Sequence, residues 1–183
     1  EFVIVCGTPL GLDQQFAPRF RAIRYEGLET FGHAYFRQAQ PESFGDPRWA
    51  SAVRPVLDRY YAHLDGEVGR ALQTLAPGDL LIVMSGFGMD AASFGKRLLA
   101  RVLGERELTG THESGPDGFL LAYGTPVATG QFSRGSVTDL TPTVLYFMGI
   151  PVGRDMDGFP RTDLFLSSFA LEHPVKYVAS HEK

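Results

Sequence analysis

"LLIVMSGFGMD", residues 80–90, decides how the chain is read. Five apolar residues, Leu80 to Met84, form the short continuous run of a buried strand, and Ser85, Gly86, Phe87 and Gly88 then predict a tight, glycine-flanked turn. In α/β proteins the turn after such a strand is where catalytic and ligand-binding groups gather. This one offers a phenyl ring, which neither ionises nor ligates a metal.

The flanking segments fit the same plan. Upstream, "WASAVRPVLDRYYAHLDGEVGRALQTL" (49–75) repeats apolar residues at helical spacing, with Pro55 at its start or at a kink, and "APGD" closes it. Further back, "FVIVC" (2–6) and "RFRAIRYEG" (19–27, stopping at Gly27) predict strands, and the aromatic residues between Thr30 and Gln40 predict a short helix. Downstream, "SFGKRLLARVL" (93–103) is an amphipathic helix and "FLLAYG" (119–124) another apolar strand. In "SVTDLTPTVLYFMGI" (136–150), Asp139 and Thr141 precede Pro142 as a helix start, and Gly149 ends the helix. Strand and helix in alternation predict an α/β fold with a mostly parallel sheet and flanking helices. We expect one α/β domain over residues 1–166 and a polar tail over 167–183.

Composition narrows the function. At 183 residues, 44% hydrophobic and 21% charged, the chain has globular composition. A net charge of -4, with Lys and Arg scattered, excludes the basic footprint that binding a nucleic acid polymer requires. The single cysteine, Cys6, excludes an internal disulfide and a thiolate-rich zinc site. No apolar run approaches the roughly 20 residues of a membrane helix. The abrupt opening, Glu1 followed at once by a strand, leads us to expect a piece of a longer protein.

Two places besides the 85–88 turn carry metal-binding potential. Glu29 and His33, in "EGLETFGH", are four apart and share a face if the chain is helical there; a carboxylate and an imidazole so placed can chelate a divalent ion, or can be a solvated or capping pair. His112, in the polar, glycine-rich "GTHESGPDG" (110–118), is either a ligand or a hydrogen-bonded loop histidine. The remaining candidates take structural roles: His63 on a polar helix face, His173 and His181 in the tail, Asp117, Asp155 and Asp157 as turn formers, and Lys96, Arg97 and Arg101 as a hydrated surface.

Five stretches in order, "YEGLETFGHAYF" (25–36), "YYAHLDGEVGRAL" (60–72), "GDLLIVMSGFGM" (78–89), "GTHESGPDGFLLAYG" (110–124) and "VTDLTPTVLYFMGIPVGRDMDG" (137–158), resemble the C-terminal portion of the type I phosphodiesterase and nucleotide pyrophosphatase branch of the alkaline phosphatase superfamily. The resemblance implies an alkaline-phosphatase-like core and hydrolysis of a small phosphoester by two zinc-like ions beside a Thr or Ser nucleophile. It assigns one metal to Glu29 (in place of the family's Asp), His33 and His112. The family's second-metal Asp-His pair falls on Gly86 and Phe87, so the two-metal centre is incomplete. The nucleophile belongs to a more N-terminal segment with no counterpart here; "CGTPLG" (6–11) lacks the helix-start context, so we expect the N-terminal remainder of the parent domain as a partner. Two functions follow: a phosphoester hydrolase working with one divalent metal, zinc by its ligands, or a pseudoenzyme without bound metal, keeping the fold as a binding or interaction module.

Overall fold

The computed structural model describes residues 2–6, 18–45, 54–104 and 109–182. The "CGTPLG" threonine and the Trp49–Val53 start of the long helix lie outside them. The elements run β1 (Phe2–Cys6), β2 (Phe20–Arg24), α1 (Gly27–Ala39), α2 (Arg54–Thr74), β3 (Leu81–Phe87), β4 (Asp90–Ala91), α3 (Phe94–Val102), β5 (Gly110–Thr111), β6 (Asp117–Tyr123), α4 (Leu140–Phe147), β7 (Val152–Gly153), α5 (Ser167–Glu172) and β8 (Tyr177–Val178), with 3-10 turns at Pro41–Phe44, Val137–Asp139 and Thr162–Leu164.

The fold is mixed α/β, but among the described residues the strands do not make one mostly parallel sheet: they form four two-stranded sheets, β1-β2, β3-β6, β4-β5 and β7-β8. β1 runs parallel to β2 with Phe2 opposite Phe20, and β7 parallel to β8 with Val152 opposite Tyr177. β4 and β5 are antiparallel, Asp90 facing Thr111. Strands of two residues such as β4, β5 and β7 carry too few side chains to show a periodic signal, which is why sequence patterning overlooks them.

Two boundaries differ from expectation. Gly27 does not close a strand; it opens α1, three residues before the predicted start. A Cβ there would run into the Tyr60 ring of α2, so glycine lets the two helices abut. The 85–88 turn is also shorter than predicted, because Ser85, Gly86 and Phe87 continue β3. The partner strand explains this: a Cβ on Gly118 would lie 2.5 Å from the Gly86 carbonyl carbon, so a glycine on β6 allows the backbones to close and the ladder to persist.

The chain divides into two compact units. One comprises residues 1–66 and 87–117, the other 67–86 and 118–183. The second holds the main core: Tyr146, Val152, Leu164 and Phe165 are buried, with Leu80, Phe147, Met156 and Phe169 packed against them. Phe147, Phe165 and Phe169 stack at 5.1–6.0 Å between centroids. Residues 167–182 join this unit through α5 and β8, and His181 Nε2 lies 2.8 Å from the Pro151 carbonyl. α4 begins directly after Asp139, as expected, but the Asp139 side chain does not cap it. Ser136 and Asp139 form a capping box one turn earlier, and the Asp139 carboxylate also accepts the Phe159 N–H at 2.9 Å.

Candidate metal centre

In the first unit, α1 presents Glu29 and His33 four residues apart, so both project from the same helical face. His112 follows β5 directly. The structure brings all three together: one ligand atom from each lies within 4.8 Å of the others. Among the described residues no other group of three His, Cys, Asp or Glu comes as close. Donors around a tetrahedral zinc at about 2.0–2.1 Å sit roughly 3.4 Å apart, so gripping an ion takes a shift of about an ångström shared among three side chains.

The hydrogen bonds around the imidazoles decide what they can do. His33 Nδ1 lies 2.8 Å from the Gly110 carbonyl and His112 Nδ1 lies 2.7 Å from the Gly88 carbonyl. A carbonyl can only accept, so each Nδ1 carries the proton, and in the neutral ring each Nε2 keeps its lone pair. This is the arrangement by which backbone carbonyls fix the tautomer and orientation of metal-binding histidines. His112 Nε2 is buried and has no hydrogen-bond partner. A buried, unpaired nitrogen costs about 1–3 kcal/mol of desolvation, a cost that a bound cation would offset. The two rings meet edge to face, 4.8 Å between centroids.

Glycines make this convergence possible. A Cβ on Gly110 would lie 2.7 Å from the Gly32 carbonyl and would also collide with the Met89 sulfur; one on Gly88 would lie 2.6 Å from Pro116 Cγ. α1, β5 and the 88–89 bend therefore approach as closely as backbones allow. The Gly88 N–H bonds the Pro116 carbonyl at 2.8 Å, which holds the carbonyl side of Gly88 toward His112.

Charge enters through Arg24, whose Nη2 lies 3.9 Å from Glu29 Oε2 and whose Nε lies 3.5 Å from Glu26. These side chains are more than half exposed, and such a pair is worth at most ~1 kcal/mol. A pair this weak does not withhold Glu29 from a dication. On the other side Phe87 packs its ring 4.4 Å from that of His112. Gly86 and Phe87 supply no donor.

The other sequence candidates stay apart from this cluster. Lys96 pairs with Glu113 at 2.8 Å and reaches Thr111 Oγ1 at 3.3 Å. Arg97 lies over the Phe44 ring at 4.8 Å. His63 contacts the Tyr25 and Tyr60 rings, and His173 stacks on Phe169 at 4.2 Å. What sequence reasoning missed is the support: the carbonyls of Gly88 and Gly110, and Thr109 beside them. Backbone carbonyls carry no sequence signal, and Thr109 stands where no periodic element was visible.

The chain matches no protein-family model, no curated protein and no solved structure. Among the described residues no helix is long and apolar enough to cross a membrane.

Proposed function

We propose that Glu29, His33 and His112 bind a single divalent cation, zinc by the borderline-soft character of two imidazoles and a carboxylate, and that this site serves a phosphoester hydrolase of the phosphodiesterase and nucleotide pyrophosphatase type in an alkaline-phosphatase-like fold. The observation that carries the cation is the buried, partnerless Nε2 of His112, on a residue grouped within 4.8 Å with His33, whose ring the Gly110 carbonyl orients, and with Glu29. The hydrolase assignment is supported by the ordered run of motifs from "YEGLETFGHAYF" to "VTDLTPTVLYFMGIPVGRDMDG". Three protein ligands leave a position open, as catalytic rather than closed structural zinc sites do. When bound, the ion would neutralise charge on a phosphoryl oxygen and lower the pKa of an attacking hydroxyl or water. The chain's own part is to hold both imidazoles in the Nδ1–H form and to keep Glu29 at hand, with the Phe87 ring packed on that of His112.

Metal analysis after dialysis, with hydrolysis of bis(nitrophenyl) phosphate by the full-length protein before and after chelation, tests this. One zinc per chain and activity lost on chelation and restored by zinc are expected. Hydrolysis that survives chelation would rule the mechanism out.

A second reading has its own observation: the Phe87 ring, at the position the resemblance aligns with a second-metal imidazole, packs on His112. A member that keeps the fold as a binding or interaction module accounts for that replacement. Absence of both zinc and turnover would mark such a module, whereas stoichiometric zinc would count strongly against it.

A further inference from the structure

α1 is interrupted at Tyr35, whose backbone (φ -125°, ψ 18°) is not helical, two residues after His33. In an unbroken helix the Arg37 N–H would bond the His33 carbonyl four residues back. Thr109 engages both groups. Its N–H donates to the His33 carbonyl at 2.7 Å, its Oγ1 accepts the Arg37 N–H at 3.2 Å, and the same hydroxyl lies 3.4 Å from the His33 carbonyl. A side chain inserted into the helical ladder is one of the few physical causes of a sharp kink. Thr109 is 6% exposed, so water is a poor substitute for the bonds it makes.

The next residue completes the grip, because the Gly110 carbonyl accepts a hydrogen bond from His33 Nδ1–H. His33 is thus held at its main chain and at its ring by two consecutive residues, and two residues later the same strand delivers His112. We infer that Thr109 is a positioning residue for the cation site, its hydroxyl wedging α1 into the bend just beyond His33 and so docking the His33 end of the helix against the segment that carries His112. This inference rests on the reading of those three residues as a cation site. Only a hydroxyl both accepts from Arg37 and donates to His33; valine has the same shape and does neither, whereas serine keeps both. Linkage makes the effect reciprocal: an ion that binds the bent form better must also stabilise the bend.

The test uses the 183-residue chain with zinc alone as the probe. Zinc affinity is measured by competition with a chromophoric chelator for wild type, Thr109→Val, Thr109→Ser and His33→Ala, and exchange of the Arg37 amide is followed with and without zinc. Thr109→Val should weaken zinc binding about 10–100-fold, the range seen when outer-shell partners of metal ligands are removed, and speed Arg37 exchange in the metal-free protein. Thr109→Ser should bind like wild type, and zinc should slow Arg37 exchange. If Thr109→Val binds zinc as wild type does, or Thr109→Ser is as weak as Thr109→Val, the hydroxyl does not position His33 and this inference alone is overturned. A wild type that binds zinc no better than His33→Ala overturns the cation reading, and this inference with it.

Discussion

The two compact units spend their polar groups differently. In the unit holding α4, β7 and α5, the charged and hydroxyl groups around the core answer one another. Arg161 donates to Asp163 through Nε and Nη2 and to the Ser133 carbonyl, its N–H bonds Thr143 Oγ1, and Asp139 accepts from Ser136 and Phe159. In the unit holding α1 and β5, backbone carbonyls accept from the Nδ1 side of two imidazoles that are grouped with Glu29, and the Nε2 of His112 is left buried without a partner. A polar network that closes on itself stabilises a fold, whereas one left open on a single side is arranged for something that arrives later.

The contrast is broken most forcefully by substitutions that ought to separate stability from binding. Phe165→Ala removes a 4% exposed ring that packs against Tyr146, Phe147 and Phe169. It should cost about 3–5 kcal/mol in denaturant unfolding while zinc stoichiometry holds in the folded fraction. His112→Ala should do the reverse. It should abolish zinc binding by more than the roughly 100-fold that outer-shell changes reach, yet leave the metal-free stability nearly unchanged, since the Nδ1 bond is lost together with a buried unpaired nitrogen. If His112→Ala unfolds the metal-free chain as Phe165→Ala does, the cluster is part of the core and the contrast fails.

A smaller effect tests the closed network. Asp139 has its carboxyl pKa held below the ordinary carboxylate value, first by the Ser136 N–H, then by the Phe159 N–H, and less by the Arg161 guanidinium; burial works against these. A lowered folded-state pKa means its stabilisation is present above the unfolded carboxylate pKa and is lost as pH falls through the folded one. Asp139→Asn keeps one acceptor oxygen and turns an amide toward a backbone N–H, so it should cost about 1–2 kcal/mol at neutral pH. The gap between wild type and variant should narrow below about pH 4. A gap that is independent of pH would mean the charge contributes nothing.

The same contrast explains what the sequence could reveal. Leu57–Leu72 advertises itself because it repeats its helical period several times, and Leu80–Met84 because five consecutive apolar residues are bounded by turn signals. The four-residue spacing of Glu29 and His33 was legible because helical geometry alone puts them on one face. His112 stood out as a loop candidate, but only the resemblance joined it to Glu29 and His33, because nothing in a lone loop histidine says which distant helix it meets. Thr109 and the Gly88 and Gly110 carbonyls were invisible: they act through main-chain approach, permitted by glycines whose role shows only when the facing backbone is in place. Residues 167–182, read as a polar tail, carry α5 and β8, elements too short for a periodic signal. Asp139 was read as the start of α4, and its carboxylate in fact closes the preceding turn, since a Ser and an Asp three apart can cap each other.

The smallest effect comes from the one place where the closed network leaves a loose end. The Tyr146 hydroxyl is buried without a hydrogen-bond partner, and burial raises the pKa of the phenol above its usual value. Its ring meets Phe165 at 5.5 Å and Phe169 at 6.1 Å, both edge to face, so the packing belongs to the ring and not to the oxygen. Tyr146→Phe therefore removes a desolvated oxygen and keeps every ring contact. The resulting cavity is about one oxygen in size, and its cost opposes the desolvation relieved, so the net change should lie between zero and about 1 kcal/mol of stabilisation. Thermal unfolding measures it. A loss of more than about 1 kcal/mol would mean the hydroxyl is bonded to ordered water, and the second unit would then be as fully satisfied as its charged groups suggest.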